Sequence, residues 1–162
     1  MNNGQPPLVL ITGASSGLGE ALVRHYAQAG WRVALVARRL AAMQALIASM
    51  PTQAARMVPY AADVQYVDAL IAVAQACVAG QGLPDVVISN AGISVGMDTE
   101  HRDDLDVMRD TFAINNVGLA ATFHPFVAAM CKRGTGTLVG MASVAAIRGL
   151  PGHGAYCASK AG

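Results

Sequence analysis

Tyr156 and Lys160 stand four residues apart in the run Tyr156-Cys157-Ala158-Ser159-Lys160. On a helix that spacing puts a phenol and an ammonium on one face. A positive charge beside a phenol favours the phenolate, so the pair can exchange a proton with an alcohol or a carbonyl oxygen. A second stretch with chemical potential lies near the start, Thr12-Gly13-Ala14-Ser15-Ser16-Gly17-Leu18-Gly19, with three glycines in eight residues. Glycines there let the backbone turn sharply and approach a pyrophosphate, and a following helix offers free N–H groups and a positive dipole end. Gly13, Ser15, Ser16, Gly17, Leu18 and Gly19 are therefore candidate cofactor-binding residues; the plainer reading is a tight turn that needs one glycine at positive φ.

The apolar run Trp31 to Ala37 is followed by Arg38-Arg39, with no carboxylate nearby. An acidic residue at that point would bind the adenosine ribose of NAD, whereas an arginine accommodates the extra phosphate of NADP through paired hydrogen bonds. NADP(H) is expected over NAD(H), with solvated surface arginines as the alternative. Gly13-Ala14-Ser15-Ser16-Gly17 also fits G-x-S-x-G, the nucleophile elbow of α/β-hydrolases, and a Ser-Asp-His set could be drawn from Ser15, Asp63 and His153. That reading leaves Gly19 and the tyrosine–lysine pair without a role.

The elements that must position these residues alternate along the chain. Leu8-Val9-Leu10-Ile11 is a continuous apolar run, as a strand buried on both faces requires. A helical pattern follows the glycines and closes at Gly30. Strands are expected at Trp31–Ala37, Met57–Ala61, Val86–Ile88 and Thr137–Met141, and helices at Leu40–Ser49 and Val64–Ala79, the latter ended by Gly80. A long helical region is expected after the fourth strand, broken between Asp110 and Asn116 and ending at Lys132-Arg133-Gly134, and a last helix opens near Gly152–Gly154. Strands alternating with helices imply an α/β fold: a doubly wound parallel sheet of about five strands, forming a single domain over residues 1–162.

Composition narrows the function classes. Eleven Lys+Arg balance ten Asp+Glu to a net charge of +1, which gives no electrostatic footprint for nucleic acid or a membrane surface. The mean hydropathy is high at +0.41, yet the longest apolar stretch, Ala69 to Ala79, is too short to span a bilayer and carries Gln75. Met1 to Pro7 lacks the pattern of a signal peptide. The three cysteines are odd in number and widely spaced, so a reducing, cytoplasmic setting is expected. His25, His101, His124 and His153 show no ligand spacing, and no metal is expected.

Taken in order, these residues resemble the short-chain dehydrogenase/reductase family. The resemblance rests on T-G-x-x-x-G-x-G at Thr12–Gly19, N-A-G at Asn90-Ala91-Gly92, N-x-x-G at Asn115–Gly118, Ser143 after the fifth strand, and Y-x-x-x-K at Tyr156–Lys160. It runs over essentially the whole chain from Leu8 and implies a Rossmann-type sheet in the order 3-2-1-4-5. It implies that Tyr156 is the acid/base, that Lys160 stabilises its phenolate and holds the nicotinamide ribose, that Ser143 donates to the substrate oxygen, and that Asn115 completes a catalytic tetrad by positioning a water. Asp63 would contact the adenine ring, though it could equally cap the next helix, and Asn90, Ala91 and Gly92 would lie near the cofactor. Ser89 stands where the family commonly has a further asparagine. The activity implied is NADP(H)-dependent interconversion of an alcohol and a carbonyl, on a small-molecule substrate that would touch Ser94–Met97 and Gly149–His153. A homo-oligomer, dimer or tetramer, is implied for a full-length form.

Members of that family are longer, and this chain stops two residues after Lys160. The expectation is therefore a C-terminally incomplete domain lacking the later strands. The alternative to the oxidoreductase is an inactive fragment that at most binds nucleotide or associates with a partner.

Overall fold

The computed structural model describes residues 4–162; the reading of Met1–Asn3 as lacking a signal-peptide pattern lies outside the described residues. Five strands form one parallel sheet in the order β3-β2-β1-β4-β5. They are β1 (Leu8–Thr12), β2 (Arg32–Ala37), β3 (Met57–Ala61), β4 (Val86–Ser89) and β5 (Thr137–Gly140). The helices are α1 (Gly17–Gln28), α2 (Leu40–Ala48), α3 (Val67–Gln81), α4 (Asp104–Phe112), α5 (Gly118–Arg133) and α6 (Gly154–Ala161). The order that the family resemblance implies is the order found.

β1 occupies the centre because every one of its residues is apolar or fully hydrogen-bonded and all five are buried. Its side chains alternate between two cores, as the period of a strand dictates. Leu8 and Leu10 join Ala34, Val36 and Val87 under α3 and α5, against Leu70, Val73, Cys77 and Phe126. Val9 and Ile11 join Val33, Leu35 and Ile88 under α1 and α2, against Val23, Ala27, Met43 and Leu46. Each such fully buried aliphatic side chain contributes roughly 1.5–3 kcal/mol. β2 pairs with one edge of β1 and β4 with the other, Ile11 lying opposite Leu35 and Ile88. Strand order therefore reverses at β1, and a crevice opens at the carboxyl ends of β1 and β4.

Three boundaries differ from the sequence expectation. α3 begins at Val67 rather than Val64, because the Asp63 Oδ1 accepts the Gln65 N–H at 3.0 Å in a local turn. It runs through Gly80 and is closed by Gly82 at φ +92. The long helical region after β4 does not start at once: residues 90–98 are irregular and α4 opens only at Asp104. The expected break is also of another kind. Ala113–Val117 is a π-helical turn that joins α4 to α5 without interrupting the chain of helix. Among the described residues, no helix is long and apolar enough to cross a membrane.

Candidate active site and nucleotide cleft

The crevice at the switch in strand order is a cleft of about 340 Å³, a size usual for ligand sites. Gly13, Ser15, Ser16, Leu18 and Gly19 form its floor, Arg38, Arg39 and Asp63 one wall, and Asn90, Ala91 and Gly92 the other. The glycine loop, the two arginines, Asp63 and Asn90–Gly92 thus converge from four separate stretches of sequence, whereas Gly17, Tyr156 and Lys160, also expected at the cofactor, stand outside this lining. Two of the loop glycines are required by close approach. Gly13 has φ +67, and a Cβ there would stand 2.8 Å from the Asn90 Nδ2 and 2.9 Å from the Ala91 Cα. A Cβ at Gly19 would collide with the Gly13 carbonyl oxygen.

The loop delivers the N-terminus of α1 to the cleft. No side chain caps that helix, so its first N–H groups are free to bind an anion. Arg39 adds a cation at the same place, its Nη2 lying 3.3 Å from both the Ser15 and Ser16 hydroxyl oxygens. Arg38 is turned to the Asp63 carboxylate, at 3.8 Å. Asp63 does not cap α3, whose N-cap is Tyr66. A floor that admits no side chain at Gly13 and Gly19, an uncapped helix end and a guanidinium together suit the phosphates of a nucleotide.

α6 carries the tyrosine–lysine pair beside the cleft. The Lys160 Nζ donates to the Met141 carbonyl at 2.7 Å and stands 5.9 Å from the centroid of the Tyr156 ring. Asn115 ties this helix to the cleft wall. Its Oδ1 accepts the Ile93 N–H at 2.9 Å, and its Nδ2 donates to the Ile93 carbonyl at 3.0 Å and to the Ser159 hydroxyl at 2.9 Å. The Ser143 Oγ accepts the Ala145 N–H at 3.2 Å, which caps a short 3₁₀ turn after β5. That leaves the hydroxyl hydrogen of Ser143 available as a donor.

The two stretches expected at the substrate side are fastened to each other. The Met97 N–H donates to the Gly152 carbonyl at 2.8 Å, and Ser94 Oγ and His153 Nδ1 are 3.2 Å apart. The Ala155 N–H meets the Met97 Sδ at 3.1 Å, a cap on the first turn of α6 that no sequence motif announced. His153 belongs to this contact and does not line the cleft with Ser15 and Asp63, so the hydrolase triad is not assembled. The histidine spacing also gave no hint that His101 lies with Asp98 and Glu100, their ligand atoms within 4.8 Å on an exposed loop.

Comparison with known proteins agrees with this arrangement. The sequence profile of the short chain dehydrogenases matches residues 7–162. An uncharacterized oxidoreductase of Myxococcus xanthus is 40% identical over 152 residues, 94% of this chain and 60% of its own length. The D-threitol dehydrogenase of Mycolicibacterium smegmatis is 34% identical over 155 residues, 96% of this chain and 59% of its own. Among solved structures, a short-chain dehydrogenase from Streptomyces avermitilis superposes with a TM-score of 0.87 at 32% identity, over 97% of this chain and 56% of that one. An actinorhodin polyketide ketoreductase with NADPH gives 0.90 at 29% identity, over 97% and 60%. This chain thus spans 60% or less of the length of these relatives. With its glycine loop, its parallel sheet and its tyrosine–lysine helix, the chain belongs to the short-chain dehydrogenase family.

Proposed function

We propose that the protein containing this chain is an NADP(H)-dependent oxidoreductase that interconverts an alcohol and a ketone or aldehyde. The observation that carries the reading is the placement of the Lys160 ammonium over the Tyr156 ring, 5.9 Å from its centroid, on a helix tied to the wall of a phosphate-fitted cleft. The nicotinamide nucleotide, when bound, supplies or accepts the two electrons of the reaction. Gly13, Ser15, Ser16, Leu18 and Gly19 would hold its phosphates, with Gly17 providing the turn at φ +55, and Asp63, Asn90, Ala91 and Gly92 would complete the walls.

Tyr156 gives a proton to the substrate oxygen in reduction and takes one in oxidation. Lys160 stabilises the phenolate and would hold the nicotinamide ribose. Ser143 donates its free hydroxyl hydrogen to the same substrate oxygen, which counters the charge developing there. Asn115 holds α6 against the Ile93 segment of the cleft wall, so that acid/base and cofactor groups share one frame. The preference for NADP(H) rests on Arg39, which is turned to the loop serines instead of a carboxylate. It is supported by an alcohol dehydrogenase from Thermococcus sibiricus complexed with 5-hydroxy-NADP, 25% identical with a TM-score of 0.89, and by the ketoreductase with NADPH. The three free cysteines are in keeping with a cytoplasmic protein, and assembly as a homo-oligomer is part of the same reading.

The test is NADPH oxidation against a panel of small ketones, aldehydes and hydroxyketones, repeated with Tyr156→Phe. Turnover that falls about 100-fold or more in the variant, with nucleotide binding retained, supports the reading. Nucleotide binding with no turnover on any substrate supports the nucleotide-binding fragment instead.

A further inference from the structure

Asn116 is not part of the tyrosine–lysine pair, the glycine loop or any position that the resemblance assigns a role. Its side chain nevertheless reaches the helix that carries the pair. The Asn116 Nδ2 donates to the Ser159 carbonyl at 2.8 Å, while the neighbouring Asn115 Nδ2 donates to the Ser159 hydroxyl at 2.9 Å. Two consecutive side chains therefore grip one residue. Adjacent side chains on an α-helix diverge by about 100° and do not face a common partner. Here both lie within the π-helical turn Ala113–Val117, whose wider winding brings successive side chains closer in direction, and such turns recur at functional sites.

Ser159 is the residue immediately before Lys160, and its hydroxyl also donates to the Tyr156 carbonyl at 2.8 Å. The clamp thus acts on the segment between the phenol and the ammonium. The Asn116 Oδ1 is buried without a hydrogen-bond partner among the described residues. A leucine would occupy similar volume with no orphaned oxygen, so packing alone does not account for a carboxamide here; its N–H group does. Asn116 and Lys160 also line one cavity, of about 440 Å³, so shortening the side chain enlarges an existing space and crowds nothing.

We propose that Asn116 is a positioning residue: together with Asn115 it clamps Ser159 and thereby sets where Lys160 stands over Tyr156. The proposal rests on the reading of Tyr156 and Lys160 as the reacting pair. It predicts that losing the Asn116 N–H weakens the influence of the ammonium on the phenol without unfolding the chain.

The experiment is an NMR pH titration of the protein labelled with ¹³Cζ-tyrosine, with the Tyr156 signal assigned from Tyr156→Phe and no nucleotide or substrate added. Lys160→Met sets the reference shift. Asn116→Ala and Asn116→Leu, the latter of similar volume and both uncharged and without the N–H donor, are then titrated, so that failure of one to fold leaves the other. The expected result is a Tyr156 midpoint moved to higher pH in the alanine variant, by about half of the Lys160→Met shift or more, with the signals of Tyr26, Tyr60 and Tyr66 unmoved. A Lys160→Met shift with no movement in either folded Asn116 variant overturns the clamp alone. No shift in Lys160→Met overturns the tyrosine–lysine reading and the clamp with it.

Discussion

Thr12 and Asn90, 78 residues apart in sequence, lock the end of β1 to the end of β4. The Thr12 hydroxyl oxygen accepts the N–H of Asn90 at 3.1 Å and of Ala91 at 3.2 Å, and the Asn90 Nδ2 donates back to the Thr12 carbonyl at 3.0 Å. This link fixes the distance between the glycine loop and the opposite wall of the cleft.

Replacing Thr12, which is wholly buried, by the similarly shaped valine leaves two backbone N–H groups without their acceptor. Thr12→Val is expected to lower stability by roughly 2 kcal/mol or more, read as the midpoint of urea denaturation. Because the link also sets the cleft width, nucleotide affinity falls in the same variant even well below the unfolding transition.

The loop glycines separate by what surrounds them. A Cβ at Gly17 meets open space, so Gly17→Ala costs only the strain of a positive φ, about 1 kcal/mol. Gly19→Ala drives its methyl into the Gly13 carbonyl oxygen and must displace the loop backbone. Fluorescence titration with NADPH is expected to show Gly17→Ala within a few-fold of the parent and Gly19→Ala weakened about tenfold or more.

The parallel sheet with its two-sided core, the glycine loop and the arginines after β2 were legible in local patterns, namely apolar runs, glycine spacing and strand ends, whereas the strand order and the place of Asn90–Gly92 came from the family resemblance. The π-helical turn was not. Asn115-Asn116 reads as a poor helix interior, and only contacts to Ser159, more than forty residues away, show that the irregularity aims two carboxamides at α6. The late start of α4 and the Met97 cap on α6 were hidden for the same reason, since both depend on pairing between remote loops. Gly80 looked like a helix end but sits inside α3, where tertiary packing overrides its low propensity.

The two arginines after β2 are expected to differ. Arg39 faces the loop serines, whereas Arg38 faces Asp63. Arg39→Ala should weaken NADPH binding about tenfold or more while leaving NADH within a few-fold, as removal of a charge-assisted phosphate contact requires. Arg38→Ala should have the smaller effect on NADPH, and parallel titrations of both variants with both nucleotides check the contrast.

Alkaline pH is expected to destabilise the fold through a buried cluster on β3 and α3. Burial pushes the Cys77 thiol from 9.0 up to about 11, partly offset by the Arg32 guanidinium. Burial, with Cys77 alongside, pushes Tyr60 from 10.0 up to about 12. The unfolded chain therefore releases these protons at lower pH than the native state does. Stability from the neutral thiol is complete below about pH 9 and is lost as pH rises toward about 11. Cys77→Ala is expected to flatten this part of the alkaline unfolding curve, by roughly 2 kcal/mol between those limits; a curve parallel to that of the parent contradicts the assignment.

The most direct test of the central claim, a dinucleotide cleft at the switch between β1 and β4, is titration of the folded chain with NADPH and then NADH, followed by nucleotide fluorescence. Saturable binding of both is expected, NADPH the tighter, with the NADPH advantage lost in Arg39→Ala. Absence of saturable binding of either nucleotide to a chain shown to be folded would contradict it.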